Sequence, residues 1–424
     1  MKHLLTLLLL SFSSLALAKP QKLALTVEAE SAILMNADTG AILYEKNSHD
    51  LHYPASITKI VTGICALEKA GNRMDVMIAG DQECIGTVTE AAFRRSNYTL
   101  PAHLLIPDGC HIGIKNGELL SLKDLLHGMM VASGDDAANV IAKYAGGTIP
   151  KFIEEMNLFA KRVGCRSTTF CNPHGLHHPK QQTTAYDMAL ITKEALKNPT
   201  FREIVKTTQY TRPKTNKQEA TTLVQTNKLL RRGPYFYPKA IGIKTGFYSL
   251  AKHTFVAAAK DGDRTLIAVL MKVNDRKDMF IDSKKMFEAA FSQPKVQRIL
   301  LRKGPQKFTL ELPEASKTIK TYITDDVALE YYPAEEPVFK FQLVWDKDLK
   351  LPIAKDQKIG HLVIALEDRQ IIKKVPLLAA ENIKASWFTT FKQSGMSLIL
   401  KVFAIIAIFS LLTFFFIKFR QRSA

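Results

Sequence analysis

Residues 54–67 read Pro-Ala-Ser-Ile-Thr-Lys-Ile-Val-Thr-Gly-Ile-Cys-Ala-Leu. Ile60, Ile64 and Leu67 recur at helical spacing, which predicts a helix from near Ser56 to Gly71. Ser56 and Lys59, three positions apart, then share one face, and the lysine nitrogen can reach the hydroxyl. Pro54 suits a helix start, and the unpaired backbone N–H groups of the first turn can hold an oxyanion. An alcohol becomes nucleophilic when a base takes its proton. A lysine serves as that base if its pKa falls by about three units, roughly 4 kcal/mol of differential stabilisation. Burial and a second nearby cation can supply the fall. Alone, a Ser-x-x-Lys spacing is commonly a surface coincidence.

Two later motifs give it company. Ser133-Gly134-Asp135 falls in a break between two helical patterns, where a hydroxyl can pass a proton to a leaving group; the bland alternative is an N-cap for the following helix. Lys244-Thr245-Gly246 ends a strand-like run. Lys244 is the natural second cation for Lys59, Lys with Thr can hold a substrate carboxylate, and a glycine lets another backbone come close. The bland alternative there is an exposed strand end.

Around these motifs the chain predicts an α+β catalytic domain over residues 25–295. Residues 30–47 form a hairpin turning at Asp38-Thr39-Gly40. Residues 72–120 are irregular and polar. Ser121 with Asp124 gives a capping-box-like start for a helix to Val131, and further helices follow Ser133-Gly134 to about Tyr144, over 150–163 and over 184–197. Strands over 240–244, 253–259 and 264–273 follow, the last two turning at Asp261-Gly262, and a helix covers 277–291. This order suggests an antiparallel sheet, built from both chain ends and covered by helices. A small all-β domain is expected over 296–380, with strands at 308–312, 338–345 and 359–366, then a linker over 381–395.

The ends place the domain. A basic start, a short apolar run and Ala16-Leu17-Ala18 make residues 1–18 a signal peptide. Residues 396–417 are almost wholly apolar and, as a helix, cover roughly 33 Å, enough for a bilayer core. Lys418, Arg420 and Arg422 follow in the tail 418–424, so the body is expected outside the cytoplasmic membrane, on the periplasmic side, with the tail inside. A surface-lying amphipathic helix is the alternative. The net charge of +18, from 58 basic and 40 acidic residues, would permit nucleic acid. Export and the lack of any nucleic-acid motif argue instead for an anionic membrane or wall polymer. Five cysteines in an oxidising compartment allow disulfides: Cys65 reads as a buried thiol, while Cys84 with Cys110 and Cys165 with Cys171 are conceivable pairs. No cysteine spacing resembles a zinc site. His174-Gly175-Leu176-His177-His178 invites a metal reading, but lacks carboxylate or cysteine ligands at useful spacing and reads better as a loop beside the cleft.

The motif set and its order resemble the penicillin-recognising serine D,D-peptidases and serine β-lactamases, with signatures S-x-x-K, S-x-N and K-T-G. Pro54-Ala55-Ser56-Ile57-Thr58-Lys59, Ser133-Gly134-Asp135-Asp136-Ala137, His174-Gly175-Leu176, Ala185-Tyr186-Asp187-Met188-Ala189-Leu190 and Gly242-Ile243-Lys244-Thr245-Gly246 resemble the low-molecular-mass penicillin-binding proteins, the D-alanyl-D-alanine carboxypeptidases. The resemblance implies an acyl-enzyme on Ser56, with Lys59 as proton acceptor and Ser133 relaying protons to the leaving D-alanine. Lys244 and Thr245 would bind the terminal carboxylate, and the N–H groups of Ser56 and Phe247 the oxyanion. It implies peptidoglycan stem pentapeptides as substrate, β-lactams as inhibitors, and no metal or organic cofactor.

Asp135 departs from this pattern, standing where the family has asparagine. A carboxylate about 4 Å from Lys59 favours its ammonium form by roughly 4 kcal/mol at an effective dielectric of about 20, against the depression a base requires. Asp135 is therefore expected either to pair mainly with Lys244 or to raise the pH optimum. Two competing functions follow. A class A β-lactamase needs a deacylating glutamate in a Glu-x-x-Leu-Asn setting, and the nearest stretch, Glu154-Glu155-Met156-Asn157-Leu158, has the last two reversed. A catalytically silent, membrane-tethered wall-binding protein is the other, argued from Asp135 alone.

Overall fold

The structure, a computed structural model, describes residues 21–420 except 72 and 367–370, without the side chains of 388–398 and 415–420. The expected signal peptide lies outside the described residues. The chain forms two compact units: Pro20–Pro294 with Tyr332–Glu335, and Lys295–Tyr331 with the chain from Glu336 onward.

In the first unit, β1 (Ser31–Asn36) and β2 (Ile42–Lys46) make the N-terminal hairpin, and Gly40 takes the positive φ of its turn. A 3-10 turn (Ala55–Thr58) leads into α1 (Lys59–Ala70). The segment 72–120 carries β3 (Met77–Ala79), α2 (Gln82–Ile85), α3 (Glu90–Arg95) and the start of β4 (Leu119–Ser121). Next come α4 (Leu122–Val131), α5 (Asp135–Gly146), α6 (Ile149–Arg162), α7 (Ala185–Ala195) and α8 (Pro199–Lys206). The hairpin β5 (Gln209–Arg212) and β6 (Thr221–Val224) precedes β7 (Ala240–Tyr248), β8 (Lys252–Asp261), β9 (Arg264–Val273) and α9 (Arg276–Phe291).

The main sheet has the order β2-β1-β9-β8-β7 and is antiparallel throughout. Its central strands are buried on both faces, and strand parity divides them between two cores. Val256, Ala258, Ile267, Val269 and Met271 face the helices α1 and α4–α8. Phe255, Ala257, Ala259, Leu266, Ala268 and Leu270 face α9 through Phe280 and Phe287. Each large aliphatic side chain so buried contributes about 1.5–3 kcal/mol, and a one-residue slip of register would exchange the two sets.

Helix α1 crosses the middle of the helical layer with ten of its twelve residues buried, Lys59 among them. At α4 the capping box is complete, Ser121 Oγ accepting from the Asp124 N–H and Asp124 accepting from the Ser121 N–H.

In the second unit, β10 (Val296–Leu301) and β11 (Gly304–Leu310) precede β12 (Ile319–Ile323) and β13 (Val327–Tyr331). They are followed by β14 (Phe339–Trp345), β15 (Lys358–Leu366), β16 (Ile371–Ala379) and a helix α10 (Trp387–Arg420). The larger sheet runs β11-β12-β16-β15-β14, and β10 pairs with β13. Among the described residues no helix is long and apolar enough to cross a membrane. The side chains of α10 that are described, Trp387 and residues 399–414, are all exposed, and the expected span 396–417 lies only partly among them.

All five cysteines are free thiols, so neither conceivable disulfide forms. Cys84 is buried, its thiol pushed up to about 12 chiefly by burial, whereas Cys110 is exposed on the segment that covers the start of α5.

Candidate active site

Ser56 sits in the 3-10 turn and Lys59 opens α1, so one continuous stretch presents both. The turn is fixed from three sides. Thr254 Oγ1 on β8 donates to the Pro54 carbonyl at 2.8 Å. A Cβ on Gly246 would stand 2.8 Å from the Ser56 backbone nitrogen and 2.5 Å from Thr254 Oγ1. A Cβ on Gly175 would stand 2.0 Å from the Ala55 carbonyl oxygen, and its φ of +100° suits only glycine. These enclosures hold Ala55 at φ 51°, a conformation that costs a non-glycine residue about 1–3 kcal/mol.

Lys59 is fully buried. Its Nζ donates to Ser56 Oγ at 2.9 Å, to Asp135 Oδ1 at 2.6 Å and to the His174 carbonyl at 2.7 Å. The expected face-sharing of Ser56 and Lys59 is therefore present as a hydrogen bond. Of the two alternatives for Asp135, a main pairing with Lys244 is not present, which leaves the effect on the pH optimum: Asp135 is the first residue of α5, and the approach of α5 to α1 delivers its carboxylate to Lys59.

Lys244 is also fully buried, on β7, and donates to the Thr245 carbonyl at 2.8 Å. Burial first, and then the Lys59 cation, lower its pKa to about 7, with Cys110 and Asp135 opposing. Thr245 Oγ1 donates to Thr226 Oγ1 at 2.9 Å, which ties β7 to the chain after β6. Phe247 is exposed and stacks on His253 across the β7–β8 pair, with ring centroids 4.4 Å apart.

Ser133 is buried at φ 67° between α4 and α5. It does not cap α5, whose N-cap is Gly134 with no side-chain bond. Among the described residues its hydroxyl makes no hydrogen bond, so the strained backbone presents an uncommitted hydroxyl.

Several contributors were not singled out from the sequence. Asp136 accepts the backbone N–H groups of Ile112, Gly113, Ile114 and Ala137 at 2.9–3.0 Å, pinning the 109–114 segment over α5. Asp135 N–H donates to the Cys110 carbonyl at 2.6 Å. Part of the irregular, polar 72–120 segment is thus a wall of the site. The doublet Asp135-Asp136 at a helix start was the available signal, since first-turn acids commonly gather backbone N–H groups.

His174 is fully buried, with burial and the Lys59 cation holding its pKa well below the usual value. Its Nδ1 accepts from the Leu176 N–H at 3.1 Å, which leaves Nε2 to donate to the His103 carbonyl at 3.2 Å. His177 lies among Tyr53, Tyr98 and Tyr248, with centroids 4.8, 5.3 and 5.5 Å away. Among the described residues no group of three or more His, Cys, Asp or Glu is placed to hold a metal ion. The stretch Glu154–Leu158 lies on α6, where Glu155 pairs with Lys69 at 2.6 Å and Asn157 bonds the backbone of Ile153 and Phe170.

A D-alanyl-D-alanine carboxypeptidase profile matches residues 17–275, and a penicillin-binding protein 5 C-terminal domain profile matches 303–385. The chain is 32% identical over 413 residues to the D-alanyl-D-alanine carboxypeptidase DacF of Bacillus subtilis, covering 93% of this chain and 96% of that protein. Escherichia coli DacD, a D-alanyl-D-alanine carboxypeptidase, is 28% identical over 373 residues, or 84% of this chain and 87% of its own. Among solved structures, penicillin binding protein 5 from Haemophilus influenzae superposes with a TM-score of 0.58 at 26% identity, covering 85% of this chain and 99% of that one. The Streptomyces K15 DD-transpeptidase does so at 0.54 and 28% identity, covering 63% of this chain and 98% of its own. With its serine, lysine and K-T-G strand assembled on this sheet, the chain belongs to the D-alanyl-D-alanine carboxypeptidase family, the low-molecular-mass penicillin-binding proteins.

Proposed function

We propose that Ser56 is the acylated residue of this serine carboxypeptidase, which removes the terminal D-alanine from peptidoglycan stem pentapeptides. The observation that carries the assignment is the 2.9 Å hydrogen bond from buried Lys59 to Ser56 Oγ, at a turn clamped by Gly175, Gly246 and Thr254. Ser56 Oγ attacks the carbonyl of the penultimate residue. The N–H groups of Ser56 and Phe247 receive the oxyanion, as favoured by the close passage of β7 at Gly246. Ser133 relays a proton to the departing D-alanine, a role its uncommitted hydroxyl suits. Water then cleaves the ester. Lys244 and Thr245 hold the terminal carboxylate, which draws Lys244 into its cationic form.

A penicillin presents a carboxylate and an acylating carbonyl to the same groups. Mass spectrometry of a pentapeptide incubated with the enzyme tests the assignment. Loss of one D-alanine with wild type and none with Ser56→Ala is the expected outcome; equal release by both would overturn it. Rapid turnover of penicillin, in place of a lasting acyl-enzyme, would favour a β-lactamase.

We further propose that residues 1–18 direct export and that α10 tethers the enzyme to the cytoplasmic membrane, with the catalytic unit on the outer, periplasmic side. The exposed apolar run from Ile399 to Phe414 and the basic residues after it support this reading. A chain ending at 386 is expected in the soluble fraction and the full chain in the membrane fraction; co-fractionation of the two would sink the tether.

A further inference from the structure

We propose that Asp135 is the terminal acceptor of the Ser56 proton, with Lys59 passing the proton between them; this rests on the reading of Ser56 as the nucleophile. All three hydrogens of the Lys59 ammonium are committed, to Ser56 Oγ, Asp135 Oδ1 and the His174 carbonyl, at 2.9, 2.6 and 2.7 Å. An ammonium so engaged has no lone pair with which to take a proton from Ser56. Of its three partners, the carbonyl is too weak a base and the hydroxyl is the group to be deprotonated. Only the carboxylate can relieve it.

The hydrogen facing Asp135 first passes from Lys59 Nζ to Oδ1, and the amine turns about its Cε–Nζ bond to aim the vacated lone pair at Ser56; as Ser56 Oγ bonds to the substrate carbonyl carbon, its proton passes to that nitrogen. One O–H and one N–H break; one N–H and one O–H form. Lys59 ends as it began, an ammonium, and the negative charge moves from Asp135 to the oxyanion. When the C–N bond breaks, the proton returns from Asp135 to Lys59, and a Lys59 proton goes on through the Ser133 hydroxyl to the leaving nitrogen.

The surroundings bear on this in both directions. The start of α5 and the cations of Lys59 and Lys244, from α1 and β7, favour the carboxylate. Burial of the pair, with side-chain exposures of 0% and 4%, favours losing its charges, as does the neighbouring Asp136 carboxylate. From the covering segment come Cys110 and His111, whose ring nitrogen lies within 3.2 Å of a Cβ position on Gly109, itself 3.0 Å from Asp135 Oδ2. From the 172–178 loop comes neutral His174.

The test is the pH dependence of acylation by a fluorescent penicillin in wild type and Asp135→Asn. Asparagine is nearly isosteric and its Oδ1 can accept the same Lys59 hydrogen, but it cannot take a proton. The competent wild-type form pairs the ammonium with the carboxylate at 2.6 Å and needs no prior loss of a proton to solvent. The variant needs neutral Lys59. Its acidic limb is therefore expected to move up by at least one pH unit, with at least tenfold slower acylation at pH 6. A carboxylate acting as a brake on Lys59 predicts the reverse, a faster variant with its limb moved down, and that result, or superimposed profiles, would overturn the proposal. Asp135→Glu, which keeps a carboxylate, adds a readout that a packing role would not give: its acidic limb is expected to stay within about half a pH unit of wild type. Should Asp135→Asn not fold, an Asp135→Glu limb moved by a pH unit or more overturns the proposal. Undiminished labelling of Ser56→Ala would instead remove the nucleophile assignment beneath it.

Discussion

Gly246 passes Ser56 so closely that a Cβ on it would stand 2.8 Å from the Ser56 backbone nitrogen. Strand β7 and the Ser56 turn are thus packed main chain to main chain, and their separation is set by a missing methyl group.

Gly246→Ala is therefore expected to push β7 off the turn. An oxyanion-hole donor is worth about 10²–10³ in rate, so kcat for D-alanine release is expected to fall by about that factor while the protein stays folded. Steady-state kinetics beside circular dichroism check this; near-normal kcat would mean that the Ser56 N–H does not serve the oxyanion.

Lys244 gives a pH dependence with a definite sign. Its free-enzyme pKa is about 7, and a bound carboxylate raises it. Below pH 7 the lysine is already cationic and KM is expected to be flat. Above pH 7 binding must take up a proton, so KM rises by up to about tenfold per pH unit until the pKa of the complex is reached. A KM that is level from pH 6 to 9 would exclude Lys244 as the carboxylate partner.

Ser133→Ala removes a hydroxyl that no other described group holds. Proton relay of this type contributes about 10²–10⁴. The kcat for a peptide, whose amine must be protonated as it leaves, is expected to drop by that order. The melting temperature is expected to change little, because no hydrogen bond is lost and no cap removed.

Asp136→Ala strips acceptors from four backbone N–H groups, three of them on the segment covering α5. With buried donors costing about 1–3 kcal/mol each when unsatisfied, and water reaching some of them, a loss of about 3 kcal/mol in urea unfolding is expected. Hydrogen exchange at residues 112–114 is expected to accelerate. A variant as stable as wild type would show that the segment is held by other contacts.

The sequence disclosed what is local. The helical face joining Ser56 to Lys59, the capping box at Ser121 and the hairpins at Gly40 and Gly262 each depend on a few neighbouring residues, and each is present. Helix α8 escaped, although Asn198 before Pro199 is a usable start signal. The hairpin of β5 and β6 and the strands β10, β12, β13 and β16 escaped because they are short, polar-rich or interrupted; β16 carries Lys373, Lys374 and Pro376. The partner of Asp135 was out of reach for a different reason. Lys59 and Lys244 are both buried cations, and choosing between them requires knowing how α5 approaches α1 across 76 residues of chain. The same holds for residues 109–114, whose place is fixed by a carboxylate more than twenty residues away.

One consequence concerns timing. The hydroxyl latch from Thr254 to Pro54 and the interior pairing of β1 with β9 mean that the Ser56 turn is completed by chain some two hundred residues downstream. A nascent polypeptide that has not yet delivered β7 to β9 has the serine and the lysine but lacks two of the three sides, Gly246 and Thr254, that fix their turn. The order of the chain thus builds in a delay: the turn that carries Ser56 is completed only when almost the whole catalytic unit has been made.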